Sequence, residues 1–252
     1  MHHFTRQPHD VNHALTRLDA RVKLLCALAM LVMVLSAKGV AFPLLVAGVA
    51  LALCLCLGVR LRVLALRFAE PLFIALMVLF LKLFFTGRVE LFSFHIFGVG
   101  LVGHSDGLLE GLRIASRIAG AVSLVALLGF STPFTELMAA LSWLKVPQGF
   151  IEVALFAWRY LFVLLDDAQV VYAAQKNRLG YAGYRRGLRS FGTLAGALVI
   201  KAFDNSQTVT TAMAQRGYDG NMPMFKHKPF RVAEALVSVV FIIVMGIMWR
   251  SI

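Results

Sequence analysis

The chain has 252 residues, 60% of them apolar and 15% charged, with a mean hydropathy of +0.79. A soluble domain of this size cannot bury so much apolar side chain, so the sequence reads as an integral membrane protein. Its formal charge of +12 would fit nucleic acid only if the basic residues lined one water-facing surface. They punctuate apolar runs instead, which points to membrane topology.

A bilayer core takes about 20 mainly apolar residues per helix. Residues 24–37, LLCALAMLVMVLSA, make a first span, broken by Lys38, Gly39 and Pro43; the run LLVAGVALALCLCLGV up to Val59 makes a second, and the two form a hairpin with a very short turn. Cys26, Cys54 and Cys56 lie inside these runs. Cys54 and Cys56 are two apart and point to nearly opposite sides of a helix, so the cysteines read as small apolar filler, not as a disulfide framework or thiolate site. The first run follows a polar segment with His and Arg and lacks a clear small-residue cleavage site, so no cleavable signal peptide is expected.

Arg60, Arg62 and Arg67 read as one small loop, and residues 71–85, PLFIALMVLFLKLFF, as a third span with Lys82 snorkelling near its end. Residues 86–107 alternate apolar and polar around glycines, which predicts an irregular or strand-like loop. A fourth span covers residues 108–130, with Glu110, Arg113 and Arg117 on one face near its start. Charges at that depth face protein or water, and the plain reading is an interfacial cluster that orients the helix.

Thr132 and Pro133 next read as N-cap and first position of an amphipathic helix, and Pro147 restarts the chain. Two long helices follow, one from GFIEVALFAWRYLF to AAQKNRLGY and one from GLRSFGTLAGALVI to TTAMAQRGY. Charges recur in both, so neither is expected to be a clean span; both read as amphipathic helices against or below the membrane. Residues 232–249 make a last span.

Lysine and arginine set the orientation. With a cytoplasmic N-terminus the inner segments hold Arg6, Arg17, Arg21, Lys23, Arg60, Arg62, Arg67 and twelve more from Lys145 to Arg231, as the positive-inside rule demands. The expected fold is an all-α integral membrane protein of about five transmembrane helices: residues 1–130 with helices one to four, a basic helical module at 131–230, and a last helix at 231–252.

Both long helices end alike, in Asn177-Arg178-Leu179-Gly180-Tyr181 and Gln215-Arg216-Gly217-Tyr218-Asp219-Gly220. A glycine after the arginine reads as a C-terminal cap that leaves the guanidinium projecting from the last turn. Arginine there also complements the helix dipole, an effect of roughly 0.3 to 1 kcal/mol. Two such ends in one module favour docking, because the planar guanidinium suits a carboxylate in a partner's groove.

The stretches RLDARVKLLCALAMLV, VPQGFIEVALFAWRYLFVLLDDAQ and TAMAQRGYDG, in that order, resemble the transmembrane component of energy-coupling factor (ECF) transporters, in its cobalt/nickel branch. The resemblance covers nearly the whole chain. It implies two crossing coupling helices whose arginine motifs, here at Arg178 with Gly180 and at Arg216 with Gly217, seat in grooves of a dimer of ABC-type ATPase subunits. Asn177, Leu179 and Gln215 depart from the usual Ala-Arg-Gly pattern. The resemblance further implies a cell (inner) membrane location and a substrate-binding membrane subunit for cobalt or nickel, with or without a small accessory membrane subunit. ATP and magnesium are bound by the ATPase subunits. The apolar halves at 151–165 and 194–199 would pack against the binding subunit, where Gly192, Ala195 and Gly196 permit close approach.

His2, His3, His9, His13, His95, His104 and His227 show no tight ligand spacing, so no metal site is expected in this chain. No phosphate-binding loop is present either, and this subunit is expected to be non-catalytic. The rival classes are a membrane-embedded enzyme with Glu110, Arg113, Arg117, His95, His104 and Asp106 at an outer face, and a scaffold that recruits a soluble partner.

Overall fold

The computed structural model describes residues 18–85, 90–96, 99–218 and 232–251. In chain order they form α1 (Ala20–Ser36), α2 (Ala41–Cys56), α3 (Leu61–Phe85), an antiparallel hairpin of β1 (Glu90–Ile96) and β2 (Val99–His104), α4 (Ser105–Ser131), α5 (Phe134–Trp143), α6 (Gln148–Asn177), α7 (Tyr184–Gln215) and α8 (Val232–Ser251). The protein is thus an α-helical membrane protein, and within the strand-like segment expected at 86–107 the described residues 90–96 and 99–104 are two antiparallel strands. On α3, Leu66, Phe73 and Phe80 are each more than half exposed, and a hydrocarbon solvent accommodates such a face where water does not.

Two expectations need correcting. Arg62 and Arg67 do not lie in a loop: α3 begins at Leu61 and runs through Pro71 without ending. Arg67 lies over the Phe130 ring, 4.9 Å from its centroid, which gives the cation an aromatic partner. The first long helix, α6, also has the length and apolarity of a span, as α3 and α4 do; α2 and Leu236–Ser251 are shorter apolar helices. The reason is distribution, since residues 148–165 carry only Glu152 and Arg159 as charges.

The chain divides into two compact units, Met1–Ala140 with Lys228–Ile252, and Leu141–His227. In the first, α4 lies against α1, α2 and α3 because its buried stripe is small: Gly107, Gly111, Ser116, Gly120 and Ser123. A Cβ at Gly111 would stand 3.1 Å from Leu79 Cα, and one at Gly120 would stand 3.0 Å from the Pro43 carbonyl and 3.1 Å from Val34 Cγ1. Without a hydrophobic drive between helices in lipid, such backbone approach is what holds them together. Ser123 donates its hydroxyl to the Ala119 carbonyl at 2.6 Å, so it brings no open donor into the core. Around this contact Met30, Val34, Phe42, Val46, Leu124 and Met245 form one apolar cluster.

The charges in this unit close helix ends. Arg117 Nε donates to the Ala37 carbonyl at 3.2 Å, with Nη2 on the same oxygen, and Ala37 is the C-cap of α1. Lys23 Nζ likewise donates to the Ser131 carbonyl at the end of α4, at 2.9 Å. Both satisfy orphan carbonyls at the negative end of a helix. Glu110 pairs with Lys82 of α3 at 2.9 Å. Thr132 is not the N-cap expected from the sequence but the C-cap of α4, its N–H on the Leu128 carbonyl, and Pro133 precedes α5 instead of opening it, its carbonyl accepting the first backbone bond from Leu137.

In the second unit, α6 and α7 form an antiparallel hairpin. Ser190 meets Gly180 near the turn, Lys201 pairs with Asp167 along its length, and Tyr218 meets Glu152 at the far end. The Lys201–Asp167 pair is half exposed and is worth only about 0 to 1 kcal/mol in water. An apolar groove of about 520 Å³ opens between the helices, lined by Phe156, Tyr160, Leu164, Val209, Met213 and others.

Candidate functional site

The candidate site consists of the two arginine-bearing helix ends. Arg216 is the C-cap of α7. Gly217 takes φ +78°, and its N–H bonds the Ala214 carbonyl at 3.1 Å while Tyr218 N–H bonds the Met213 carbonyl at 3.1 Å. This is a complete Schellman cap, and glycine is there because the backbone is left-handed. A Cβ at Gly217 would touch nothing within 4 Å, so the requirement is conformational and not steric.

At the first end the same bonds form with different residues. Arg178 is the C-cap of α6, Leu179 N–H bonds the Lys176 carbonyl at 3.0 Å, and Gly180 N–H bonds the Gln175 carbonyl at 2.9 Å. The left-handed residue is Leu179, at φ +55°, so Gly180 is not the capping glycine that the sequence suggests. Gly180 has a packing reason instead: a Cβ there would stand 2.7 Å from Ser190 Oγ and 2.9 Å from the Gln175 carbonyl. Ser190 donates to the Gly180 carbonyl at 2.8 Å, and Tyr181 donates to Gln175 Oε1 at 2.8 Å. Aligning NRLG with QRGY on their arginines puts Leu179 opposite Gly217, and that was the available signal.

Both guanidinium groups are exposed, and among the described residues neither has a hydrogen-bond or ion-pair partner. The two ends lie at opposite ends of the hairpin. Ser190, bonded to Gly180, is 26 residues from Arg216, which at 1.5 Å per residue is roughly 39 Å of helix. Gly192, Ala195 and Gly196 are exposed, and a Cβ at Gly192 or Gly196 would meet nothing within 4 Å. Among the described residues nothing covers this small-residue stripe, and Leu188, Phe191, Val199 and Phe203 are exposed on the same helix.

Two groups of the rival outer-face site have partners among the described residues. Glu110 is held by Lys82 and Arg117 by Ala37, while the side chain of His95 lies outside the described residues, as do His2, His3, His9, His13 and His227. Among the described residues no three His, Cys, Asp or Glu side chains gather as a metal site.

A family model described as cobalt transport protein, CbiQ, matches residues 12–226, a stretch that takes in both arginine ends and stops before α8. The chain belongs to the CbiQ family. It is 27% identical over 216 residues to protein MJ1089 of Methanocaldococcus jannaschii, covering 85% of this chain and 81% of that protein. The cobalt transport protein CbiQ of Rhodobacter capsulatus is 31% identical over 132 residues, which is 52% of this chain and 53% of that one. The energy-coupling factor transporter transmembrane protein EcfT of Staphylococcus aureus is 28% identical over 171 residues, covering 63% and 62%. The chain therefore spans little more than half the length of these two named relatives. Glu152 and Tyr218, which the sequence reading passed over, both fall within the CbiQ match.

Proposed function

We propose that this chain is the transmembrane coupling subunit of an ATP-driven ECF-type importer for cobalt or nickel ions. Arg178 and Arg216 seat in grooves of two ABC-type ATPase subunits, which bind ATP and magnesium. The exposed stripe of Gly192, Ala195 and Gly196 faces the substrate-binding membrane subunit, and the chain itself catalyses no reaction. The hairpin and the N-terminus are cytoplasmic in this reading, which the basic residues of the N-terminal segment, of residues 60–67 and from Lys145 onward support.

One observation carries this reading. Helices α2 and α5 close with the same pair of backbone bonds, around Gly58 and Lys145, yet their C-cap positions are Leu57 and Leu144. The cap needs no arginine, so the exposed arginines on α6 and α7 are free to serve as partner contacts. A guanidinium fork meeting a carboxylate on a partner gives strong, directional attachment at each end.

The reading is tested in a complex reconstituted with the ATPase and substrate-binding subunits. Arg178→Ala and Arg216→Ala should each weaken ATPase-subunit binding about ten-fold or more, and the double variant should abolish ATP-dependent cobalt uptake with membrane insertion intact. Wild-type uptake by the double variant overturns the proposal.

A further inference from the structure

Tyr218 stands two residues beyond Arg216, and its phenol donates to Glu152 Oε2 at 3.1 Å across 66 residues of sequence. Glu152 is only 8% exposed, and its other carboxyl oxygen accepts from Gln148 Nε2 at 3.1 Å. A carboxyl buried this far is costly unless its oxygens are bonded. One donor comes from the first turn of α6 and the other from the segment that leaves α7. Ile151, fully buried, and Glu152 are the only two buried residues of α6, so the start of α6 is its best-anchored part.

The two arginine ends are therefore held differently. The Arg178 end is fixed by its own turn, through bonds from Ser190 to Gly180 and from Tyr181 to Gln175. The Arg216 end is tied to the beginning of the other helix.

We propose that Tyr218 and Glu152 are positioning residues that lock the Arg216 end to the start of α6, so that displacement of this end passes straight into α6. Without that bond the next side-chain tie to α6 is the exposed Lys201–Asp167 pair, 15 residues back along α7 from Arg216. This inference rests on the reading of Arg216 as an ATPase contact. It adds a second load path to that contact, through the Tyr218–Glu152 bond.

The test uses the full complex in proteoliposomes, with spin labels at Gly149→Cys and Gln215→Cys in a background free of the three native cysteines. Tyr218→Phe keeps the ring and removes the donor. Glu152→Ala removes the acceptor, and Glu152→Gln keeps an oxygen that can accept. Tyr218→Phe and Glu152→Ala should broaden the 149–215 distance distribution and lower cobalt uptake per ATP hydrolysed by up to about ten-fold, the size of one part-buried hydrogen bond. ATPase-subunit binding should stay within about two-fold of wild type, and Glu152→Gln should restore both readouts. An unchanged distance distribution overturns the lock, and a broadened distribution with unchanged coupling reduces it to a structural bond and overturns the proposal equally. Arg216→Ala separates the two ideas: unaltered ATPase binding there sinks the docking reading and leaves the distance result standing.

Discussion

Ser190 Oγ donates to the Gly180 carbonyl at 2.8 Å and stands 2.7 Å from where a Cβ on residue 180 would lie. The hairpin corner therefore has a hydrogen bond and a steric limit at the same point. Gly180→Ala must also displace the Gln175 carbonyl, at 2.9 Å, which is backbone and cannot rotate away. The substitution should cost about 1 to 3 kcal/mol, the usual penalty of overpacking. Unfolding titration in detergent micelles measures it, and Ser190→Ala should cost less, about 1 kcal/mol for one hydrogen bond.

Leu179 carries a left-handed backbone, φ +55°, that a side chain resists by roughly 1 to 2 kcal/mol. Leu179→Gly should raise stability by up to about 1 kcal/mol, once the extra freedom of glycine in the unfolded chain is subtracted. Leu179→Val should lower it, because a branched Cβ tolerates this region least. The same titration decides, and a destabilised Leu179→Gly would show that the leucine side chain matters more than the backbone strain.

How far the molecule is legible in its sequence differs from feature to feature. The apolar runs mark the helices, and the alternating pattern at 86–107 marks the hairpin strands, because hydropathy period follows directly from backbone geometry. The start of α3 is hidden, since Arg62 and Arg67 resemble loop residues until Phe130 is brought beneath Arg67. The arginine ends are visible as motifs, whereas the exchange of roles between Leu179 and Gly180 is set by Ser190, ten residues away. The Tyr218–Glu152 bond depends on the register of two long helices, which no local pattern encodes.

Glycines of two kinds should respond oppositely to enlargement. Gly120→Ala inserts a methyl 3.0 Å from the Pro43 carbonyl and should cost about 1 to 3 kcal/mol. Gly192→Ala meets nothing within 4 Å and should gain roughly 0.5 to 1 kcal/mol through helix propensity. The informative variant is Gly192→Leu, which should raise the unfolding midpoint much as Gly192→Ala does and weaken capture of the substrate-binding subunit. Equal capture by Gly192→Leu and wild type would remove this face from the proposed interface.

Arg117 closes α1 through the Ala37 carbonyl. Arg117→Met keeps the aliphatic stem and leaves that carbonyl without the guanidinium, so a loss of about 1.5 to 3 kcal/mol is expected. Arg117→Lys should recover most of it, since one charged donor suffices there. If the unfolding midpoint is preserved and transport is lost in Arg117→Met, the residue belongs to the ion path and not to the α1 terminus.

The Asp167–Lys201 pair divides the hairpin unevenly. From Lys201 it is 15 residues to Arg216 and 11 back to Ser190, arms of roughly 22 and 17 Å. A rotation of about 5° around that pair sweeps the longer arm through about 2 Å and the shorter through about 1.5 Å. Equal lateral forces at the two tips therefore have unequal moments about that pair, the larger on the Arg216 side, where the Tyr218–Glu152 bond resists it.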